Sequence, residues 1–419
     1  MKDKLLDTIN KFEPDKKSSP FLWTLYDGLH TFLFAPNHVT KDGVHIRDNM
    51  DLKRTMVHVV LLLQLCYLFG TYNIGHQHFL AIGEYTGFLE GFHLKFLYGF
   101  WQLLPIFIVA HVVGLAIEFY YAAKKGHSIE EGFLVSGALI PLIMPPDLPL
   151  WILGLSVAFA VIIGKEAFGG TGMNIWNVAL LSRVFVFFAY PTEISGDGVW
   201  IAGFENLELP NSPVEYGWVH LTLFNGIFDY FGLATFDPGW YVMDGFTGAT
   251  PLSLGFQGGW EAITEVYTQS AMIWGTIPGS IGETSKPLII IGAVFLAAIG
   301  IASWRIMAGM LIGAIFTGLL LNLWGATPFM TVPWYHHLYI GSFLFALAFM
   351  ATDPVTAAST ERGKWIYGFL IGFFGMIVRV INPAYPEGWM LAILLMNTFS
   401  PLIDHLVLRK NMQKRLASA

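Results

Sequence analysis

Asp244-Gly245-Phe246-Thr247-Gly248-Ala249-Thr250 carries the most distinctive chemistry in the chain. Glycine and other small residues around two threonine hydroxyls leave Thr250 Oγ open to a large ligand or a modifying enzyme, because no bulky side chain shields it. Read alone, the stretch is equally an ordinary Gly-rich turn. A second set of candidates consists of ionisable groups inside apolar segments, which are expensive to keep there: Glu118, Arg183, Asp353 and Asp404. A hard cation such as Na⁺ takes carboxylate and carbonyl oxygens. The break at Asp353-Pro354 offers both, and Glu118 and Asp404 are further candidates for a Na⁺ path. Each of these carboxylates also fits a solvated place near a membrane interface. Phe345 and Phe349, four apart and facing the same way, suit an apolar gate beside the ion site or plain packing. Asn174 and Asn177 follow Gly169-Gly170-Thr171-Gly172. Amides three apart on a helix can read the edge of a flat heterocycle by donor–acceptor pairs; alternatively they cap the helix, with Asn174 as the N-cap.

Other residue types exclude chemistry. Cys66 is the only cysteine, so the chain makes no internal disulfide and cannot hold an iron–sulfur cluster alone. Redox work must use an organic cofactor or a partner's metal. His76 and His78, and His336 and His337, have no clear third ligand and read as interfacial polar residues. No dinucleotide fingerprint stands in a strand–helix–strand setting, and nothing points to nucleic acid.

The elements that position these residues follow from composition. Hydrophobic residues make up 54% of the 419 and charged residues only 13%, with a mean hydropathy of +0.56. Soluble domains carry roughly 25% charged residues. The chain is therefore an all-α polytopic membrane protein. Ten apolar segments stand at 55–74, 98–120, 128–145, 148–167, 174–191, 287–304, 306–324, 336–352, 364–382 and 388–407. The third and eighth end at Pro145-Pro146-Asp147 and Asp353-Pro354, as half-helices or re-entrant elements would.

The first 54 residues hold nine Lys/Arg, and Lys124, Lys125, Lys165, Arg305, Arg362, Lys364 and the basic tail fall on the same side when ten spans are threaded. Lys95 and Lys286 fall on the other. Positive residues mark the cytoplasmic side, so both termini are expected there and the 192–286 loop outside. The chain thus divides into a cytoplasmic segment 1–54, a five-span half 55–191, the outer loop 192–286, a second five-span half 287–407 and a tail 408–419. Two five-span halves enter the membrane from opposite sides, so they are expected to be inverted repeats, with broken helices at matched places marking a midplane site.

Several strings together resemble a known family: His38-Val39-Thr40, His45-Ile46-Arg47-Asp48, Lys165 to Gly172, Ile194-Ser195-Gly196-Asp197, Ile277 to Glu283, Ala302 to Arg305, Met350 to Pro354 and Asn382 to Gly388. The chain is similar to the B subunits of bacterial sodium-pumping NADH:quinone reductases. The D subunits of Rnf-type ferredoxin:NAD reductases share the membrane core but typically lack so long an N-terminal segment. The resemblance implies FMN esterified through its phosphate to Thr250 by a flavin transferase, with Asp244, Thr247, Gly248 and Ala249 completing the attachment motif. A threonine hydroxyl is a weak nucleophile, so such a transferase must activate it with a metal. The resemblance further implies a riboflavin, placed near Asn174 and Asn177, a quinone near Gly114 and Glu118, Na⁺, and partners in a six-subunit complex of the bacterial inner membrane. Leu115 stands where the family often has a second glycine and Val178 where it has proline; residues 201–240 look like an insertion, its stretch Tyr216 to Ala234 packing on the surface.

Three functions compete. The first is an electron-carrying subunit of a redox-driven Na⁺ pump, the second an Rnf-type subunit without quinone, and the third a ten-span solute transporter. On the first, FMN on Thr250 lies across the membrane from the NADH side, so electrons must cross the bilayer to reach it.

Overall fold

The structure, a computed structural model, describes residues 13–14, 22–23, 26, 52–125, 132–203, 246, 248–382 and 388–418. Asp244, Thr247 and most of the 201–240 insertion lie outside the described residues, as does most of the N-terminal segment. Among the described residues the regular elements are helical. They are α1 (Leu52–Ile82), α2 (Phe92–Lys125), α3 (Phe133–Ile143), α4 (Leu150–Gly164), α5 (Val178–Ala189), α6 (Pro251–Val266), α7 (Lys286–Ala298), α8 (Trp304–Trp324), α9 (Phe343–Phe345), α10 (Glu361–Ile381) and α11 (Trp389–Ser418), with a few shorter turns. Six of these helices are long and apolar enough to cross a membrane. The chain is a multi-pass membrane protein.

The short elements matter most for the site. At 1.5 Å per residue, the 11 residues of α3 reach only about 16 Å of the roughly 30 Å hydrocarbon core. Proline at 145 and 146 stops it. The carbonyls it leaves open need donors inside the protein: the Gly282 N–H donates to Leu142 O at 2.7 Å. Tyr67 Oη of α1 donates to Ala138 O at 2.6 Å, and Asn73 Nδ2 to Ile277 O at 3.0 Å. The 277–283 loop is thereby clamped between α1 and α3.

The eighth apolar segment, 336–352, is not one helix. It begins as a 3₁₀ turn at His336–Leu338, passes Gly341 at φ +71, and resumes as α9 running into a π-turn, Ala346–Met350. α5 (12 residues) and α7 (13 residues) are also too short to span alone. The sixth segment stops at Ala298, where Gly300 takes φ +77, several residues before hydropathy alone would end it.

Packing runs in parallel in the two halves. α2 packs on α3 and α4, α4 on α5, α1 on α3, and α3 on α5; likewise α8 packs on the π-turn and α10, α10 on α11, α7 on the π-turn, and the π-turn on α11. The halves meet where α1 touches α7 and α5 touches α11. α8 and α10 make the closest pair. Gly309 and Gly313 face Gly368 and Gly372, and a Cβ on any of them would collide with the neighbouring helix backbone. Small residues four apart are how membrane helices let backbones approach without a hydrophobic driving force.

Candidate cofactor and ion sites

Two cavities lie at opposite ends of α5 and α7. The larger, about 270 Å³, has Thr250 at its mouth. Thr250 is the N-cap of α6, its Oγ1 accepting from the Ser253 N–H at 3.3 Å, and Pro251 occupies the first helical position. These are strong helix-start signals. Pro251 has no N–H and the Ser253 N–H is already taken by Thr250 Oγ1, but the helix dipole places partial positive charge at Thr250, which suits an anionic group there. The segment is more closely held than the sequence suggests. Gly248 and Ala249 are buried and Thr250 is half-buried. A Cβ at Gly248 would overlap the Asp197 carbonyl, and Tyr267 Oη donates to Ala249 O at 2.7 Å. Burial pushes the Tyr267 phenol well above its ordinary range, so it stays a donor. The small residues serve close backbone packing against 195–201, as well as access. Ser253 Oγ donates to Asp197 Oδ1 at 3.0 Å, which gives the Ser195-Gly196-Asp197 string a local role.

Deeper in this cavity stands Arg183, which the apolar sequence around it leaves in need of a partner. Its Nη1 meets Glu283 Oε1 at 3.2 Å, and the two side chains are 3% and 9% exposed. Its guanidinium lies 5.9 Å from the Trp200 ring centroid. Lys286 is also buried, and its Nζ donates to Glu283 O at 2.7 Å and to Gly341 O at 3.3 Å. Phe187, Trp200 and Phe256 supply the apolar wall.

The smaller cavity, at the other end of α5 and α7, is lined by Asn174, Asn177, Lys165, Phe349, Thr352 and Asp353, among others. It gathers residues from segments far apart in the chain. Asn177, not Asn174, is the N-cap of α5: its Oδ1 accepts from Leu180 N at 3.1 Å, while Asn174 Nδ2 donates to Trp176 O at 3.0 Å. Asn177 takes the cap because its φ/ψ of −63°/120° is extended and the helix begins at Val178. Its Nδ2 also donates to Asp353 Oδ2 at 3.3 Å. Asp353 accepts further from Val355 N and Thr356 Oγ1, both at 3.1 Å. Asn177→Ala is expected to cost about 1 kcal/mol through the lost cap, seen as a lower melting midpoint of the detergent-solubilised protein. Asn177→Ser should recover most of it.

The remaining sequence candidates sit apart. Glu118 does not face this cavity freely; it forms a buried ion pair with Lys165 across α2 and the end of α4. Gly114, one turn earlier, lies against the Phe133 ring of α3, where any Cβ would overlap the ring. Asp404 on α11 receives Ser359 N at 2.7 Å, Thr360 N at 3.0 Å and Thr360 Oγ1 at 2.6 Å. It thereby fastens α11 to the start of α10. Phe345 and Phe349 are buried with ring centroids 5.1 Å apart. Of the two, Phe349 reaches the smaller cavity.

The family described as NQR2, RnfD, RnfE matches residues 39–413. The chain belongs to the NQR2, RnfD, RnfE family. It is 40% identical to the B subunit of the Na⁺-translocating NADH-quinone reductase of Chromohalobacter salexigens, over 98% of this chain and 95% of that protein. It is 41% identical to the protein of the same name from Ectopseudomonas mendocina, over 94% of each chain. A third such relative, from Klebsiella pneumoniae, is 39% identical over 94% of this chain and 93% of its own.

Val178 is the first residue of α5, the helical position at which proline is favoured and at which its missing N–H costs nothing. Valine fills the same place. The four paired histidines are not solvated interfacial groups. His76 is buried with its Nδ1 3.0 Å from Lys95 Nζ, and His78 stacks on Tyr98 at 4.0 Å. His336 stacks on Trp260 at 3.4 Å, and His337 is 2% exposed. Among the described residues no three His, Cys, Asp or Glu side chains gather as a metal site. Sequence reasoning missed Glu283, Lys286, Ser280 and Thr284. Ser280 and Glu283 stand in the string Ile277 to Glu283 and Thr284 and Lys286 just after it, but only the fold shows that they line the Thr250 cavity.

Proposed function

We propose that this chain is the B-type membrane subunit of a Na⁺-translocating NADH:quinone reductase, carrying FMN as a phosphoester on Thr250. The observation that carries this reading is Thr250 at the N-cap of α6, at the mouth of the larger cavity, in a chain whose relatives bear that name. The residues present fit the group: a hydroxyl for the ester, a helix N-terminus for the phosphate charge, aromatic walls for a flat ring, and buried polar groups at the inner end. A bound flavin would supply the electron-transfer chemistry that no side chain offers. The chain's own part is to hold the ring, to exclude water with Phe187, Trp200 and Phe256, and to keep Arg183 and Glu283 paired beside it.

The smaller cavity supports a riboflavin near Asn174 and Asn177 and a Na⁺ path past Asp353. Asp353 is the acid that lines this cavity, whereas Lys165 already neutralises Glu118 and Asp404 is spent on fastening α11 to the start of α10. On this reading Phe349 and Phe345 gate the path. Quinone would be reduced near the α2 end that carries Gly114 and Glu118. Both termini face the cytoplasm of a bacterium, with the 192–286 loop outside, ten spans and an inverted repeat; the parallel packing of the two halves supports the repeat. Partners are the other subunits of a six-subunit complex and a flavin transferase.

The test is turnover by the purified complex. NADH should reduce quinone, with the rate stimulated several-fold by Na⁺. Reduction of NAD from ferredoxin without quinone activity would assign the chain to the Rnf-type branch instead.

A further inference from the structure

Ser280 Oγ and Thr284 Oγ1, on two residues that line the larger cavity, are buried hydroxyls with no hydrogen-bond partner among the described residues. Both residues are 3% exposed, stand four apart on the loop leading to α7, and line the cavity that Thr250 opens into. Almost all buried polar side-chain atoms in proteins are satisfied, and leaving one unsatisfied costs about 1–3 kcal/mol. Alanine at 280 and valine at 284 would keep the shape and remove that cost. Hydroxyls retained here therefore point to a ligand that completes them. The wall is aromatic at Phe187, Trp200 and Phe256, so the ligand is flat and apolar on its faces and polar at one edge. Apolar pockets with a few convergent polar groups orient ligands in this way.

Resting on the reading of Thr250 as the FMN attachment site, we propose that Ser280 and Thr284 are positioning residues for the flavin ring. Their hydroxyls donate to the carbonyl and ring-nitrogen edge of its pyrimidine portion. The ring is thus held at both ends: by its phosphoester at the α6 N-terminus, and by two hydroxyls on the loop clamped against α3. Donors at that edge favour the reduced ring, on which electron density accumulates, because protein hydrogen bonds to the ring tune its electronics.

The test compares purified wild-type complex with the S280A, T284V and S280A/T284V complexes, using the T250A complex as the blank that isolates this flavin. Fluorescence of this chain on a denaturing gel reports attachment, independently of how the ring is seated. Visible circular dichroism and the midpoint potential of the isolated signal report seating. Expected are a full-strength fluorescent band in every hydroxyl variant, an altered visible dichroism, and roughly tenfold less preference for the reduced form in the double variant, about 30 mV for a two-electron couple. Thr284→Ser, which retains the hydroxyl, should keep the wild-type spectrum and covers the case in which T284V fails to assemble. Wild-type dichroism and potential in S280A/T284V, with the band intact, would overturn the seat. So would a T284S complex as altered as T284V. Absence of a band in the wild type would overturn the attachment reading itself, a different result from loss of seating.

Discussion

Thr250→Ala is expected to abolish the ultraviolet-fluorescent band of this chain on a denaturing gel, and to remove the flavin mass from the peptide containing residue 250. The effect is all-or-none because the ester needs an oxygen at that position. Alanine also removes an N-cap, which by itself costs about 0.5–2 kcal/mol, so two companions separate the causes. Thr250→Asn keeps a capping oxygen without an attachable hydroxyl and should lose the band while the protein accumulates normally. Thr250→Ser keeps both and should retain a band. Fluorescence persisting in T250A, in cells that contain the transferase, would place the flavin elsewhere.

The second large effect concerns the ion pair behind that cavity. Arg183→Met leaves the Glu283 carboxylate buried without its guanidinium. Removing one partner of a buried pair costs about 3–5 kcal/mol, whereas replacing both by apolar groups of similar volume is often neutral. Arg183→Met should therefore lower the melting midpoint of the solubilised protein by several degrees or prevent its accumulation. The double variant R183M/E283L should recover part of the loss, since buried Lys286 keeps its acceptors Glu283 O and Gly341 O but loses the nearby carboxylate. A single variant as stable as the wild type would mean that the pair is not what holds α5 to the 277–286 segment.

What the sequence made legible divides along physical lines. The polytopic class and the breaks at Pro145-Pro146 and Asp353-Pro354 follow from local chemistry: hydropathy and missing backbone donors. The π-turn at Ala346–Met350 carries no comparable signal, because its residues are as apolar as any helix. Asn177 and Asp353 lie 176 residues apart in the chain, so their contact depends on how α5 meets the break after the π-turn. Asp404 and Glu118 read as stray intramembrane acids until the fold supplies their partners. Ser280 and Thr284 are visible as letters, but their meaning is in their burial. The packing of Gly248 against Asp197 went unread because small residues signal an open loop and a tight contact equally well.

The brevity of α5 and α7 has an electrical consequence. From Lys286, beside the larger cavity, to Leu296, beside the smaller, is ten residues, about 15 Å of helix. A bilayer core is about 30 Å thick. The helix between the two cavities is therefore about half as long as the bilayer core is thick. For a charge moved along the path proposed above, the step between the two cavities is thus about half the bilayer thickness, out of a full crossing worth about 2.3 kcal/mol per 100 mV.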